Sequence, residues 1–172
     1  MKKSILSLLF IFVAFSVHAK AKALSVQIIQ NNPGQEKTWA TSEFFEQSVI
    51  NYYFDSGRIV SNSPIYITTN DSEKNRKALR AALIENNDGG MDYLIRIELF
   101  FKMSKTVAPD IPKLGNLDKV EWIVYNVGTG VEISSGSKKP SKVTTSNDNE
   151  IGIESFAYEV VEIGRASCRE RV

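Results

Sequence analysis

The hydrophobic pattern first predicts a strand and then a helix. Apolar and polar residues alternate through Leu24–Ile29, the spacing of a strand with one buried face, and the turn residues at 31–34 end it. Thr41 or Ser42 then supplies a helix cap, and Gly57 ends the helix. Its apolar face repeats at spacings of three to four residues: Phe45, Val49, and Tyr52 or Tyr53.

The next segment predicts an extended stretch and a second helix. Pro64 interrupts Ile59–Ile67 and restricts it to an edge or a bent strand, because proline donates no backbone hydrogen bond. Asp71 or Ser72 begins the helix, and the glycine pair at 89–90 closes it. The apolar face of this helix is Ala78, Leu79, Ala82 and Leu83.

The second half of the chain predicts three strands and a last helix. Alternation is clearest in Tyr93–Phe101, and Val120–Val127 and Val131–Ser134 form a hairpin around the glycines at 128–130. A polar loop at 136–149 leads to an amphipathic segment with the apolar positions Ile153, Phe156, Ala157, Val160 and Val161. The fold class is therefore α/β (α+β), a mixed sheet of about five strands with helices packed on it, in the order β-α-β-α-β-β-β-α.

The amino-terminal segment is interpreted as a secretory signal peptide spanning residues 1–19. Lys2 and Lys3 precede an apolar stretch of about 13 residues, which is shorter than the roughly 20 of a spanning helix. Cleavage is expected after Ala19, with Ala21 and Ala23 as alternatives. No cysteine lies near these positions, so we expect a released protein without a membrane anchor, periplasmic or secreted.

The carboxy-terminal residues 163–172 do not fit the pattern of the preceding domain. Their back-translation resembles the read-through of a common short-read sequencing adapter, and we interpret them as an artefactual tail. The remaining 24–162 is expected to be a single periplasmic α/β domain, truncated at Glu162, with its true carboxy-terminus and any further domain undetermined.

Composition narrows the possible chemistry. The chain carries a formal net charge of +1, and removing both ends leaves −3 for residues 20–162, so a basic surface for nucleic acid is not expected. His18 and Cys168, the only histidine and cysteine, lie in the two excluded ends. Histidine-assisted nucleophiles, common zinc sites and disulfides are therefore excluded for 20–162, and we assign no catalytic, metal or cofactor-binding residues.

Three short segments resemble a known group of envelope domains. A helix ends in a small-Gly-Arg phrase before a strand in Phe45–Val60, a Gly-x-Asp-Tyr phrase begins a strand in Gly90–Ile95, and a Val-x-Thr-Gly phrase turns a hairpin in Val124–Ile133. The chain thus resembles the periplasmic α/β domain shared by curli-secretion lipoproteins, penicillin-binding-protein activator lipoproteins and the amino-terminal domain of the Tol translocation protein. The lipid-anchor cysteine of the lipoproteins is absent near the expected cut.

That resemblance implies a non-enzymatic envelope accessory or binding module acting through protein–protein contacts. The partner is an unidentified envelope protein, and the oligomeric state is undetermined. Most of the aromatic residues clustered on the first predicted helix are expected in the core, and an exposed patch for a partner is the alternative for the remainder: Phe44, Phe45, Tyr52, Tyr53 and Phe54.

The alternative function is a carboxylate-dependent hydrolase of cell-wall glycans. Such an enzyme needs two carboxyl groups about 5–10 Å apart, and Asp92 and Glu98, six residues apart on one strand, lie roughly 20 Å from each other. Glu98 could meet Glu121 or Glu132 from another strand. With Arg96 and Lys119 equally near in sequence, a solvated ladder of opposite charges is the favoured interpretation.

Overall fold

In the computed structural model, which describes residues 22–102 and 108–169, six strands form one mixed sheet with three helices. In chain order the elements are β1 Ala23–Asn31, α1 Ala40–Asp55, β2 Ile59–Asn62, β3 Tyr66–Ile67, α2 Ser72–Asp88, β4 Tyr93–Phe101, β5 Leu117–Asn126, β6 Val131–Lys138 and α3 Glu150–Arg169. The predicted fold class is confirmed. The sixth strand arises because the proline-containing segment divides, with Pro64 between β2 and β3.

The sheet combines a parallel half with an antiparallel half. The strand order is β2-β1-β4-β5-β6, and β3 pairs with β1 beyond the end of β2. β1 runs parallel to β2, β3 and β4, whereas β4, β5 and β6 are antiparallel neighbours. A row through the sheet centre aligns Ile28, Ile97 and Trp122, so β1 and β4 lie at the middle of the hydrophobic core.

One face of the sheet, the inner face, is covered by α1 and α3. Alternate residues of the three central strands point to it, and the ring centroids of Phe45 on α1 and Phe156 on α3 lie 6.3 Å apart. All five apolar positions predicted for the last helix are buried there: Ile153, Phe156, Ala157, Val160 and Val161. Burial of this face supplies the main apolar contribution to folding.

The predicted cap of α2 is confirmed and that of α1 is wrong. Asp71 accepts hydrogen bonds from the backbone N–H groups of Glu73 and Lys74. α1 instead begins at Ala40 with no side-chain cap. The Ser42 hydroxyl, expected to cap, lies inside the helix and donates to Gln30 Oε1 at 2.9 Å, an atom that also accepts from the Trp39 N–H at 2.8 Å. Both bonds satisfy the buried Gln30 amide on β1.

The hairpin is longer than predicted. β5 begins at Leu117 and β6 continues to Lys138, so Gly136 belongs to a strand and not to the polar loop. Gly136 pairs with Trp122, and the lack of a side chain leaves room for the indole. Glycine ordinarily weakens a strand interior. Here it is required because the Trp122 ring on the neighbouring strand fills the space that a side chain at position 136 would need.

The predicted chain boundaries meet the structure only in part. The signal segment 1–19 and the cleavage positions Ala19 and Ala21 lie outside the described residues. Ala23 is the first residue of β1, and its N–H donates to Asp92 Oδ2 at 2.8 Å. α3 continues past Glu162 as a helix to Arg169. In the described part of the chain, no helix is long and apolar enough to cross a membrane.

Candidate functional site on the outer face of the sheet

The second side of the sheet is covered over only part of its area. α2 packs there through Ala82 and Leu83 against Leu94 at the start of β4 and Val127 after β5. Further along these two strands lie seven half-buried side chains, which we call the outer face: Arg96, Glu98 and Phe100 on β4, and Lys119, Glu121, Ile123 and Tyr125 on β5. The outer face combines charged and aromatic groups that remain in contact with solvent.

Arg96 lies at the centre of this surface, and its guanidinium group is hydrogen-bonded by neutral side chains. Its Nε–H donates to Gln27 Oε1 at 3.0 Å, and the Tyr125 side chain is a further hydrogen-bond partner. Gln27 is only 6% exposed, and its own Nε2 lies 3.4 Å from the backbone oxygen of Pro64. Strand pairing places Gln27 directly beside Arg96, so the backbone register of β1 and β4 fixes the guanidinium group.

The environment of Arg96 is partly desolvated. Burial lowers the pKa of its guanidinium below the ordinary value, while the nearby Tyr125 and Glu98 side chains oppose that shift. Burial also raises the pKa of the Tyr125 phenol, with Arg96 opposing. The guanidinium nevertheless stays charged, since arginine is protonated at all physiological pH values. The outer face therefore keeps a partly buried positive charge.

Glu98 and Glu121 are brought together by the antiparallel register of β4 and β5. The two residues pair directly, a position in which Cβ atoms lie about 4.5–5.5 Å apart. Glu121 Oε1 lies 2.6 Å from Lys119 Nζ, and Glu98 Oε1 accepts from Asn31 Nδ2 at 2.6 Å. Each carboxylate thus has its own partner, but only Glu121 contacts a cation, and that cation lies on its own strand. The predicted cross-strand ladder of opposite charges is therefore wrong at this pair, where two carboxylates face each other.

Lys119 connects the charged and the aromatic parts of the outer face. Its Nζ lies 4.1 Å from the centroid of the Phe100 ring in addition to its contact with Glu121. An ammonium over an aromatic face gains roughly 0.5–1 kcal/mol at an exposed site. The pairing of Phe100 with Lys119 across the strands places both groups on the same side of the sheet.

The residues of β6 reach the outer face through an irregularity. The pairing register shifts between Val124 and Tyr125, so Glu132 pairs with Tyr125 and acts on it electrostatically. Of the four carboxylates weighed from sequence, Glu98 and Glu121 pair, whereas Glu132 lies near the opposite end of β5 beside Tyr125. Asp92 lies apart from them and accepts from the Ala23 N–H.

The aromatic residues of α1 are divided between the core and the surface. Phe45 and Tyr53 are buried, while Phe44 and Tyr52 pack against the core cluster from its margin. Phe54 is 71% exposed, so the expectation that part of this group remains outside the core is met by one ring. It lies on α1, the helix that covers the inner face.

Sequence reasoning identified the charged residues of the outer face but missed the residues that organise it. Gln27 and Tyr125 gave no signal beyond their positions in alternating strands, because their roles depend on which strands become neighbours. Within the described residues, no three or more histidine, cysteine, aspartate and glutamate side chains are grouped so that they could hold a metal ion.

Three solved structures are similar to this chain at low identity. A PelC dodecamer from Paraburkholderia phytofirmans is 14% identical, with 82% of this chain and 84% of that chain covered and a TM-score of 0.45. A lipoprotein from Neisseria meningitidis is 11% identical, with coverage of 84% and 99% and a TM-score of 0.43. A protein from Xanthomonas campestris is 12% identical, with 86% of each chain covered and a TM-score of 0.45. These values are too low to assign an activity.

No curated protein matches the chain. A family model described as "Uncharacterised protein" matches residues 23–162, which include all six strands and most of α3. The chain therefore belongs to that family.

Proposed function

We propose that this protein is an exported, non-enzymatic accessory or binding module of the cell envelope, and that its outer face contacts another protein. The observation that carries the proposal is the unequal covering of the two faces of the sheet. The inner face is closed by α1 and α3, whereas the outer face keeps Arg96, Phe100 and Tyr125 half-buried beside the limited area under α2.

The composition of the outer face suits a protein partner. Aromatic residues and arginine are enriched at the centres of protein interfaces, where they provide large contact areas at low entropic cost. The short phrases shared with curli-secretion lipoproteins, penicillin-binding-protein activators and the Tol amino-terminal domain support an envelope role, as does the signal-like amino-terminal segment. On this proposal the protein acts outside the cytoplasm and needs no cofactor.

Site-specific photo-crosslinking in living cells tests this proposal. A photoreactive amino acid replaces Ile123 on the outer face, and a matched variant carries it at Phe54 on α1. We expect a discrete adduct with one envelope protein from the Ile123 position only, and the same pair should crosslink when both proteins are purified. An adduct from Phe54 alone, or none from either position, would overturn the proposed contact surface.

The alternative function, a carboxylate-dependent hydrolase of cell-wall glycans, gains one specific observation. Glu98 and Glu121 pair directly across β4 and β5, which places two carboxylate side chains on neighbouring strands, as a glycosidase pair requires. The purified protein is incubated with peptidoglycan, with Glu98→Gln and Glu121→Gln as matched controls. Under the binding proposal no fragments are released. Release by the wild type that both substitutions abolish would replace the binding proposal with the hydrolase.

A further inference from the structure

The guanidinium of Arg96 has more hydrogen-bond donors than the described residues satisfy. It carries five N–H groups, of which the Nε–H is taken by Gln27, and Tyr125 is its other side-chain partner. Side-chain ion pairs in the described part of the chain join Arg76 to Glu73, Lys119 to Glu121 and Lys138 to Glu159, and none of these three includes Arg96. A partly buried positive charge therefore has neutral direct partners.

The nearest carboxylates do not compensate this charge by contact. Glu98 lies two residues further along the same face of β4 and affects Arg96 through space, but Asn31 on β1 holds its Oε1 atom. Glu132 lies beside Tyr125 on the other side. Because Arg96 is half-buried, its charge is less well hydrated than that of an exposed arginine, so a ligand that pairs with Arg96 loses less solvation and gains more there.

The flanking carboxylates indicate which anion fits. A guanidinium presents parallel N–H groups that match the two oxygens of a carboxylate, and such charge-assisted hydrogen bonds are about twice as strong as neutral ones. A larger negative charge on phosphate strengthens its attraction to Arg96, but it strengthens the repulsion from two carboxylates, Glu98 and Glu132, at the same time. A singly charged, planar carboxylate is therefore favoured over phosphate or sulfate.

We propose that Arg96, oriented by Gln27 and Tyr125, binds a carboxylate group of the protein partner, and that Glu98 limits how tightly it binds. This inference rests on the proposed function, since it names the chemistry by which the outer face recognises its partner. The carboxylate comes from an acidic side chain or from the carboxy-terminus of the partner, and the two sources present the same group to Arg96.

Nuclear magnetic resonance titration of the purified protein tests the proposal, with the Arg96 Nε–H signal as the local readout. Two pentapeptides of otherwise identical sequence serve as probes. One has a single glutamate and blocked ends, and the other has glutamine in its place and a free carboxy-terminus. Acetate and inorganic phosphate are titrated separately. We expect at least one of the peptides and acetate to shift the Arg96 signal, with phosphate weaker than acetate, and the stronger peptide to identify the source.

Substitutions make the test specific. Arg96→Gln should weaken the affinity for the stronger peptide about tenfold or more, because at least one charge-assisted hydrogen bond is lost. Arg96→Lys should retain only part of the wild-type affinity. Glu98→Gln should tighten binding several-fold because it removes a repulsive charge. Arg58→Gln, which removes an exposed arginine outside the outer face, is the matched control and should change binding less than twofold. Thermal melts identify any variant that has lost its fold.

The outcomes separate this inference from the proposed function. Equal peptide binding by wild type and folded Arg96→Gln, or phosphate binding more tightly than acetate, would overturn the carboxylate site. If the Ile123 adduct also persists unchanged in Arg96→Gln, the outer face remains the contact surface and only the carboxylate site fails. Absence of the adduct in the wild type removes the proposed function, whatever the peptides do.

Discussion

Gly136 on β6 lies directly against the indole ring of Trp122 on β5. A Cβ atom at position 136 would lie 2.3 Å from Trp122 Cζ2 and 2.8 Å from Cε2, inside the contact distance of carbon atoms. Trp122 is 4% exposed and packs in the main core, so it has little room to move away. Close packing of the Trp122 ring on Gly136 therefore holds the edge strand β6 against the core.

Gly136→Ala should therefore destabilise the protein by about 1–3 kcal/mol, the usual cost of overpacking a core site. Urea unfolding followed by tryptophan fluorescence measures the change. Gly128→Ala is the matched control: a Cβ there meets only Asn126 Oδ1 at 3.6 Å, an ordinary contact, and its free energy of unfolding should stay within about 0.5 kcal/mol of wild type. Equal stability of the two variants would show that the indole can move aside.

Phe45 and Phe54 provide a second matched pair, since both are phenylalanines on α1. Phe45 is completely buried against Phe156, whereas Phe54 is 71% exposed. Phe45→Ala should cost about 3–5 kcal/mol, and Phe54→Ala should cost less than about 0.5 kcal/mol. Denaturant midpoints compare them. A large loss in Phe54→Ala would mean that this ring is covered in solution.

Glu46 on α1 should make stability depend on pH in an unusual direction. Burial raises the pKa of its carboxyl group, Glu43 raises it further, a hydrogen bond with Asn62 opposes, and the buried Oε1 atom has no partner within the described residues. A carboxyl group with a raised pKa in the folded state favours folding when protonated, and this contribution is lost as the pH rises through the folded-state pKa.

Glu46→Gln should therefore melt at a higher temperature than wild type near pH 7, with the difference becoming small near pH 4. Circular dichroism melts at both pH values measure this. Glu85→Gln, at an exposed position on α2, should show no such pH-dependent gain. A Glu46→Gln variant less stable than wild type near pH 7 would mean that the carboxylate is paired when ionised.

Asp71 should contribute to stability as a helix cap. Its Oδ1 atom accepts hydrogen bonds from the N–H groups of Glu73 at 2.9 Å and Lys74 at 3.2 Å. Asp71→Ala should cost about 1 kcal/mol, while Ser72→Ala, at an exposed neighbouring position, should have a smaller effect. Urea unfolding measures the free energy of unfolding of both variants, and equal losses would contradict the role of Asp71 as a cap.

The expected signal cleavage can be checked against β1. A cut after Ala23 would remove the residue whose N–H donates to Asp92 and whose carbonyl accepts from the Asp92 N–H at 2.9 Å. Cuts after Ala19 or Ala21 leave these bonds intact. Amino-terminal sequencing of the protein purified from cells should therefore begin at Lys20 or Lys22, and a chain that begins at Leu24 or retains Met1 would refute this.

Local pattern determined the elements and their faces. Alternation in β4 correctly assigned Ile95 and Ile97 to the inner face and Arg96 to the other, because side chains of a strand alternate whatever it pairs with. The spacing in α3 identified its buried positions for the same kind of reason. Pro64 interrupts a strand because it lacks a backbone N–H, and Asp71 caps a helix through its own carboxylate. Both effects depend on the residue itself and were therefore predictable from the sequence.

Strand neighbours and the organisation of the candidate site were decided by tertiary structure. The local sequence pattern does not predict three contacts, because each joins residues from separate strands: Gln27 with Arg96, Glu98 with Glu121, and Trp122 with Gly136. Likewise, the Ser42 hydroxyl, which the sequence predicted to cap a helix, donates to the side chain of Gln30 on β1. Sequence periodicity fixes which side of an element is apolar, whereas the partner of each polar side chain depends on long-range pairing that buries or exposes it.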